Sequence, residues 1–179
     1  ESGIEQRVHP TMVPLDSVIA QVDGVTNAVA IESDILGELL MVGPGAGGNA
    51  TASAVLGDIA DIAKSRPGAQ QVPVLGRPAN SLTEYRRAKM KSHEGGYFIR
   101  LTVKDKAGVF ASIATAMADN NISLESIVQR QRVQVEGAPQ TIILVTHATM
   151  EDAIRKAVAA IKDKKYLVSE PQVIRIERT

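Results

Sequence analysis

The chain has 179 residues, 44% of them hydrophobic and 22% charged, with 20 Lys and Arg set against 20 Asp and Glu. That length holds one medium domain or two small ones, and zero net charge argues against a nucleic-acid or acidic-membrane partner, because a phosphate-binding face leaves a basic excess. No apolar run approaches the ~18 residues of a membrane helix, and the absence of cysteine removes disulfides, thiolate nucleophiles and thiolate metal sites, with a reducing, cytoplasmic setting as the default.

The chain opens on Glu1 with no basic-then-apolar signal segment, which leads to the expectation of a piece of a longer product. The prolines of Val8-His9-Pro10-Thr11 and Val13-Pro14-Leu15 favour extended backbone. Ser17 to Gly24 is expected as a short helix ending in a turn. Asn27–Glu32 and Gly37–Val42 are expected as strands, and Ser33-Asp34-Ile35-Leu36-Gly37 between them makes a hairpin the economical pairing. The second strand runs into Gly43-Pro44-Gly45-Ala46-Gly47-Gly48. From Ala50 to Lys64, Val55, Leu56, Ile59, Ile62 and Ala63 recur at helical spacing, with Asn49 and Thr51 as candidate N-caps.

The glycines at 43, 45 and 48 match G-x-G-x-x-G after a strand and before a helix. Backbone without side chains lets a phosphate or ring approach, and first-turn amides attract anions. A complete dinucleotide fold would also need an acidic residue about 20 residues on, at the end of a second strand. Gln71–Leu75 contains Pro73 instead and leads to Gly76-Arg77. Two readings therefore stand: a tight strand-to-helix turn, or a contact with a cofactor held mainly by sequence outside this chain.

Residues 66–95 read as a linker, interrupted by Pro67, Gly68, Pro73, Gly76 and Pro78. Its cluster Arg86-Arg87-Ala88-Lys89-Met90-Lys91 fits a solvated face better than a nucleic-acid site. Charge changes sign across this segment: residues 1–94 carry 8 basic and 11 acidic side chains, and the rest carry 12 and 9. His9 is read as structural. His93 and His147 lack acidic or histidine partners at metal spacing, so no metal is expected, and Ser53 has no nucleophile-elbow context.

Beyond the linker the elements follow a regular order. Tyr97–Val103 alternates as a strand and Lys104–Gly108 turns the chain. Val109–Ala118 has helical spacing stopped by Asp119-Asn120-Asn121. Ile122–Val128 and Thr141–Thr146 are strands with Glu136–Pro139 as the turn between them, Met150–Lys162 is an amphipathic helix, and Val173–Ile176 is an edge strand. The order is βαββαβ, a ferredoxin-like arrangement whose free face or edge calls for self-association. The fold class expected for the whole is α+β: an incomplete α/β unit over 1–65, the linker over 66–95, and the βαββαβ domain over 96–179.

The run Tyr97-Phe-Ile-Arg-Leu-Thr-Val-Lys-Asp105-Lys-Ala-Gly108-Val, followed by Asn121-Ile122-Ser123-Leu, resembles the ACT domain, a small amino-acid-sensing module. Upstream, Arg7-Val-His9-Pro10-Thr11, Asp23-Gly-Val-Thr-Asn27-Ala-Val and Gly45-Ala46-Gly47-Gly-Asn-Ala-Thr51 resemble the late catalytic region of bacterial homoserine dehydrogenases, in which an ACT domain follows this segment. The resemblance implies the interconversion of L-aspartate 4-semialdehyde and L-homoserine with NAD or NADP. It implies that Gly45, Ala46, Gly47 and Thr51 contact the cofactor, and that the catalytic Lys and Asp lie upstream of residue 1, so that this chain alone is inactive. It further implies an amino-acid effector, threonine first, at Asp105, Lys106, Ala107, Gly108, Val109, Asn120, Asn121 and Ile122, and assembly as a dimer or tetramer. The alternative is an amino-acid-binding or dimerising ACT module of another enzyme.

Overall fold

The computed structural model describes residue 4 and residues 6–64, 71–72, 77–84, 94–130 and 138–177. The basic cluster 86–91, His93 and part of the turn at 136–139 lie outside the described residues. Two units form, one of Glu1–Pro14 with Arg87–Thr179 and the other of Leu15–Arg86.

In the larger unit, strand β1 (Thr11–Met12) is followed much later by β4 (Glu94–Val103), helix α2 (Val109–Ala118), β5 (Leu124–Arg130), β6 (Gln140–Thr146), helix α3 (Glu151–Lys162) and β7 (Gln172–Ile176). The sheet runs β1-β7-β4-β6-β5, and every pairing is antiparallel except β1 with β7. Without β1 this is the ferredoxin-like order the βαββαβ pattern predicts. One face of β4 supplies Tyr97, Ile99, Leu101 and Val103, and β6 supplies Ile142 and Leu144. Val109, Ile113 and Met117 of α2, with Ile154, Ala157 and Ile161 of α3, complete a single buried cluster. The period of two in the strands and the spacing of three to four in the helices put these residues on facing surfaces. Full burial of each large side chain contributes roughly 1.5–3 kcal/mol.

The N-terminal segment joins this unit, whereas the sequence reading keeps it with residues 15–65. Thr11 and Met12 align with Arg175 and Ile176, and the Glu177 amide donates to the Met12 carbonyl at 3.0 Å. The outer side of β7 is therefore occupied by a parallel strand, and β5 is the sheet's other edge strand.

In the smaller unit, β2 (Thr26–Ser33) and β3 (Gly37–Pro44) pair over their full lengths. The turn between them is closed by the Leu36 amide donating to Ser33 Oγ at 3.0 Å, and Gly37 adopts φ 74°, a conformation glycine takes without strain. Helix α1 spans Gly48–Lys64. The expected helix after Ser17 is one 3₁₀ turn, Val18–Gln21, too short to bury an apolar face. The expected strand at 71–75 appears, within the described residues, as Gln71–Val72 paired with Arg77–Pro78. Among the described residues no helix is long and apolar enough to cross a membrane. No residue of α1 is buried, and Val29, Ile31, Leu39, Met41, Leu56 and Ile62 are exposed.

Candidate functional site

The glycine loop links β3 directly to α1. The Gly45 amide donates to the Val25 carbonyl at 3.0 Å, and Gly47 has φ 115°, closed to side-chain-bearing residues. A Cβ at Gly45 would collide with Cγ, Nδ2 and Oδ1 of Asn27, so the loop lies directly on that carboxamide. Thr51 donates its hydroxyl (3.0 Å) and its amide (3.1 Å) to the Gly47 carbonyl. The helix thus starts before both N-caps expected from the sequence: Asn49 and Thr51 lie in its first turn, and the Thr51 hydroxyl donates instead of accepting. Gly45, Ala46, Gly47 and Thr51 come together around one helix start. The glycine-rich loop, whose side chains are those of Pro44 and Ala46, and the helix amides ahead of Thr51 leave a phosphate or a flat ring room for close approach.

The second set of expected residues falls at two places in the larger unit. Asp105–Val109 forms the β4–α2 turn. Gly108, at φ 86°, is the N-cap of α2, and no side chain caps that helix. The Asp105 carboxylate instead accepts from the buried Gln140 side chain at 3.5 Å. Asn120–Ile122 ends α2. Asn121 takes φ 56°, the Ile122 amide reaches the Met117 carbonyl at 3.0 Å and the Asn121 amide reaches Ala118 at 2.9 Å, which is the Schellman pattern. Asn120 Nδ2 donates to the Ala116 carbonyl at 2.9 Å, while Ile122 is buried in the core. Asn120 and Asn121 share a cavity of about 450 Å³ with Asp119, Met150, Asp152, Ala153 and Lys156. That cavity is not lined by Asp105–Val109.

The sequence reading did not bring out a charged cluster in the same unit. Glu151, at the start of α3, accepts from Arg7 Nη1 (2.5 Å) and Arg175 Nη2 (2.6 Å) on Oε2, and from Arg155 Nε (3.0 Å) and Nη2 (2.5 Å) on Oε1. Burial works against the charged carboxylate, but the hydrogen bonds of Arg7 and Arg155, followed by their charges, prevail and hold Glu151 below the usual carboxylate range. Burial likewise pushes the Tyr97 hydroxyl up; the neighbouring Arg175 charge opposes this and Glu151 reinforces it. These residues and His9 line a cavity of about 770 Å³. Only the Glu151–Arg155 spacing of four was visible in the sequence. Among the described residues, no three His, Cys, Asp or Glu side chains converge on a metal position.

The βαββαβ unit with its glycine-capped turn defines one class, the ACT domain, and residues 97–165 match the ACT domain model. Residues 2–60 match the homoserine dehydrogenase model. The chain is 38% identical over 181 residues to the homoserine dehydrogenase of Pseudomonas aeruginosa, covering 99% of the chain and 41% of the relative. It is 37% identical over 177 residues to that of Neisseria gonorrhoeae, covering 98% and 40%. A crystal structure of a homoserine dehydrogenase from Thiobacillus denitrificans superposes with a TM-score of 0.81 at 34% identity, covering 99% of this chain and 40% of that one. The chain is thus similar along nearly its whole length to homoserine dehydrogenases, and it spans about two fifths of the length of these relatives.

Proposed function

We propose that this chain serves as the cofactor-contacting and regulatory C-terminal portion of an NAD(P)-dependent homoserine dehydrogenase, which interconverts L-aspartate 4-semialdehyde and L-homoserine. The nicotinamide would supply and take back the hydride. This chain's residues would bind and orient, with Gly45, Ala46, Gly47 and Thr51 meeting the nicotinamide end. The observation that carries this reading is the glycine loop at the start of α1, with open space where side chains at Gly43, Gly47 and Gly48 would lie, within a segment that matches the family model.

Residues 1–65 would belong to the catalytic and dimerisation region, 66–95 to a linker and 96–179 to the ACT domain. The exposed apolar side chains of β2, β3 and α1 support packing against the nucleotide-binding part and against a second copy. The ACT unit would sense threonine through Asp105–Val109 and Asn120–Ile122, in a cytoplasmic homo-oligomer. Hydride transfer between homoserine and NADP⁺ or NAD⁺ tests the reading. The full-length protein is expected to turn over and the 179-residue chain alone to be inert. Turnover by this chain alone would contradict the proposed division of labour.

A further inference from the structure

The cavity beside Glu151 is bounded by the N-terminal segment, α3 and β7, and its volume of about 770 Å³ falls in the ~300–1,000 Å³ range of small-molecule sites. Among the described residues that line it, the guanidiniums of Arg7, Arg155 and Arg175 meet a single carboxylate, that of Glu151. Four hydrogen bonds converge on this carboxylate, about as many as its lone pairs accept. Glu151 is therefore filled and the cavity wall carries a positive excess; Glu177, 3.9 Å from Arg175, lies outside the lining. Arg155 gives Nε and Nη2 to Glu151, while its Nη1 has no described partner on a side chain that is 64% exposed. Tyr97 also lines the cavity. The residue is 4% exposed, and its hydroxyl is buried with no hydrogen-bond partner among the described residues, a state that is costly unless something fills it. The rest of the wall is largely apolar: Ile154 and Val158 lie one turn apart on α3, and Val173 lies on the same side of β7 as Arg175.

We infer that this cavity binds a small organic acid, whose carboxylate takes Arg155 Nη1 and the Tyr97 hydroxyl and whose apolar body lies against Ile154, Val158 and Val173. Guanidinium donors suit carboxylates, hydrogen bonds to a charged acceptor are the strong ones, and the apolar wall rewards burial of a hydrocarbon chain. An amino acid fits worse, because its ammonium group would face three guanidiniums and find Glu151 already filled. Inorganic phosphate would satisfy the donors and leave the apolar wall uncovered. The site is separate from the cavity at Asn120 and Asn121. Helix α3 turns Glu151, Ile154, Arg155 and Val158 toward one and Asp152, Ala153 and Lys156 toward the other. Neither the cofactor loop nor threonine sensing enters into it.

The test is calorimetric titration of the full-length protein with 3-methylbutanoate, 3-methylbutanamide, L-valine and inorganic phosphate. The amide lacks the charge, valine adds an ammonium group to the same carbon skeleton, and phosphate has no apolar body. 3-Methylbutanoate is expected to bind saturably at millimolar concentration or below, and about tenfold or more tightly than each of the others. Arg155→Met and Tyr97→Phe should each weaken the acid roughly tenfold, the effect of losing one hydrogen bond to a charged group. Tyr97→Phe should at the same time raise the melting temperature of the ligand-free protein, because it deletes a buried hydroxyl that has no partner. A merely structural Tyr97 would lower the melting temperature and leave the affinity alone. Lys156→Met, in the other cavity, should leave the acid's affinity unchanged. Absence of saturable binding at millimolar 3-methylbutanoate overturns the inference, as does equal affinity for valine or phosphate. So does an affinity unaltered in both Arg155→Met and Tyr97→Phe, or one that Lys156→Met lowers as much as they do.

Discussion

Arg7 Nη1 meets Glu151 Oε2 at 2.5 Å across 144 positions of sequence. Arg175 reaches the same oxygen at 2.6 Å from the last strand, so one carboxylate joins the N-terminal segment, α3 and β7. Arg7, Glu151 and Arg175 have side chains only 13%, 12% and 7% exposed, and salt therefore screens this contact poorly. Replacing Glu151 with Gln leaves the two guanidiniums facing a neutral group, and breaking one side of such a buried pair costs about 3 kcal/mol. Chemical denaturation of Glu151→Gln should show that loss. Arg155→Ala, at a side chain 64% exposed, should cost less than about 1 kcal/mol.

The same carboxylate gives the larger unit a pH dependence. The folded state holds the Glu151 pKa below the ordinary value of 4.5, so the unfolded chain takes up the proton more readily. The contribution is fully present above pH 4.5 and is lost as pH falls through the folded value. Thermal melts of the wild type should decline below pH 4.5 more steeply than those of Glu151→Gln. Parallel curves would contradict this assignment.

Two backbone positions should be intolerant for conformational reasons. Gly108 caps α2 at φ 86°, with open space where a Cβ would go, so Gly108→Ala is penalised by backbone strain alone, by about 1 kcal/mol. Asn121, at φ 56°, should accept Gly almost without loss but lose about 1–2 kcal/mol as Val, because a β-branched residue is strained there. Urea midpoints of the three variants check the order.

Threonine binding to the ACT unit predicts a rise in melting temperature that saturates with ligand. At 100 times its dissociation constant the added stability is about 2.7 kcal/mol. Lys156→Met, in the cavity shared with Asn120 and Asn121, should weaken the effect if that cavity holds the ligand. An unchanged response would direct attention to the Asp105–Gly108 turn instead.

Much of the fold was legible because its signals are local. The Ser33–Gly37 turn announces the hairpin, and the alternation from Tyr97 to Val103 and the apolar spacing from Val109 to Met117 announce a strand and a helix that share a core. The end of α2 at Asp119-Asn120-Asn121 was readable from residues that tolerate left-handed backbone. Strand β1 was not, because two residues paired in parallel with Arg175 and Ile176 leave no periodicity. The four-residue charge cluster escaped for the same reason: its members come from three distant segments, and nothing local distinguishes Arg7 or Arg175 from solvated arginines. The glycine loop was visible as a pattern, but its dependence on Asn27 lies in a packing contact across β2 and β3 that spacing does not encode.

The most direct measurement is amide hydrogen exchange on the full-length protein, with NADPH and with threonine added separately. The dinucleotide is expected to slow exchange across residues 43–51, and threonine to slow it across 105–122. Dinucleotide protection that spares 43–51, or threonine protection absent from 105–122, would contradict the division of this chain into a cofactor-contacting loop and an effector-sensing domain.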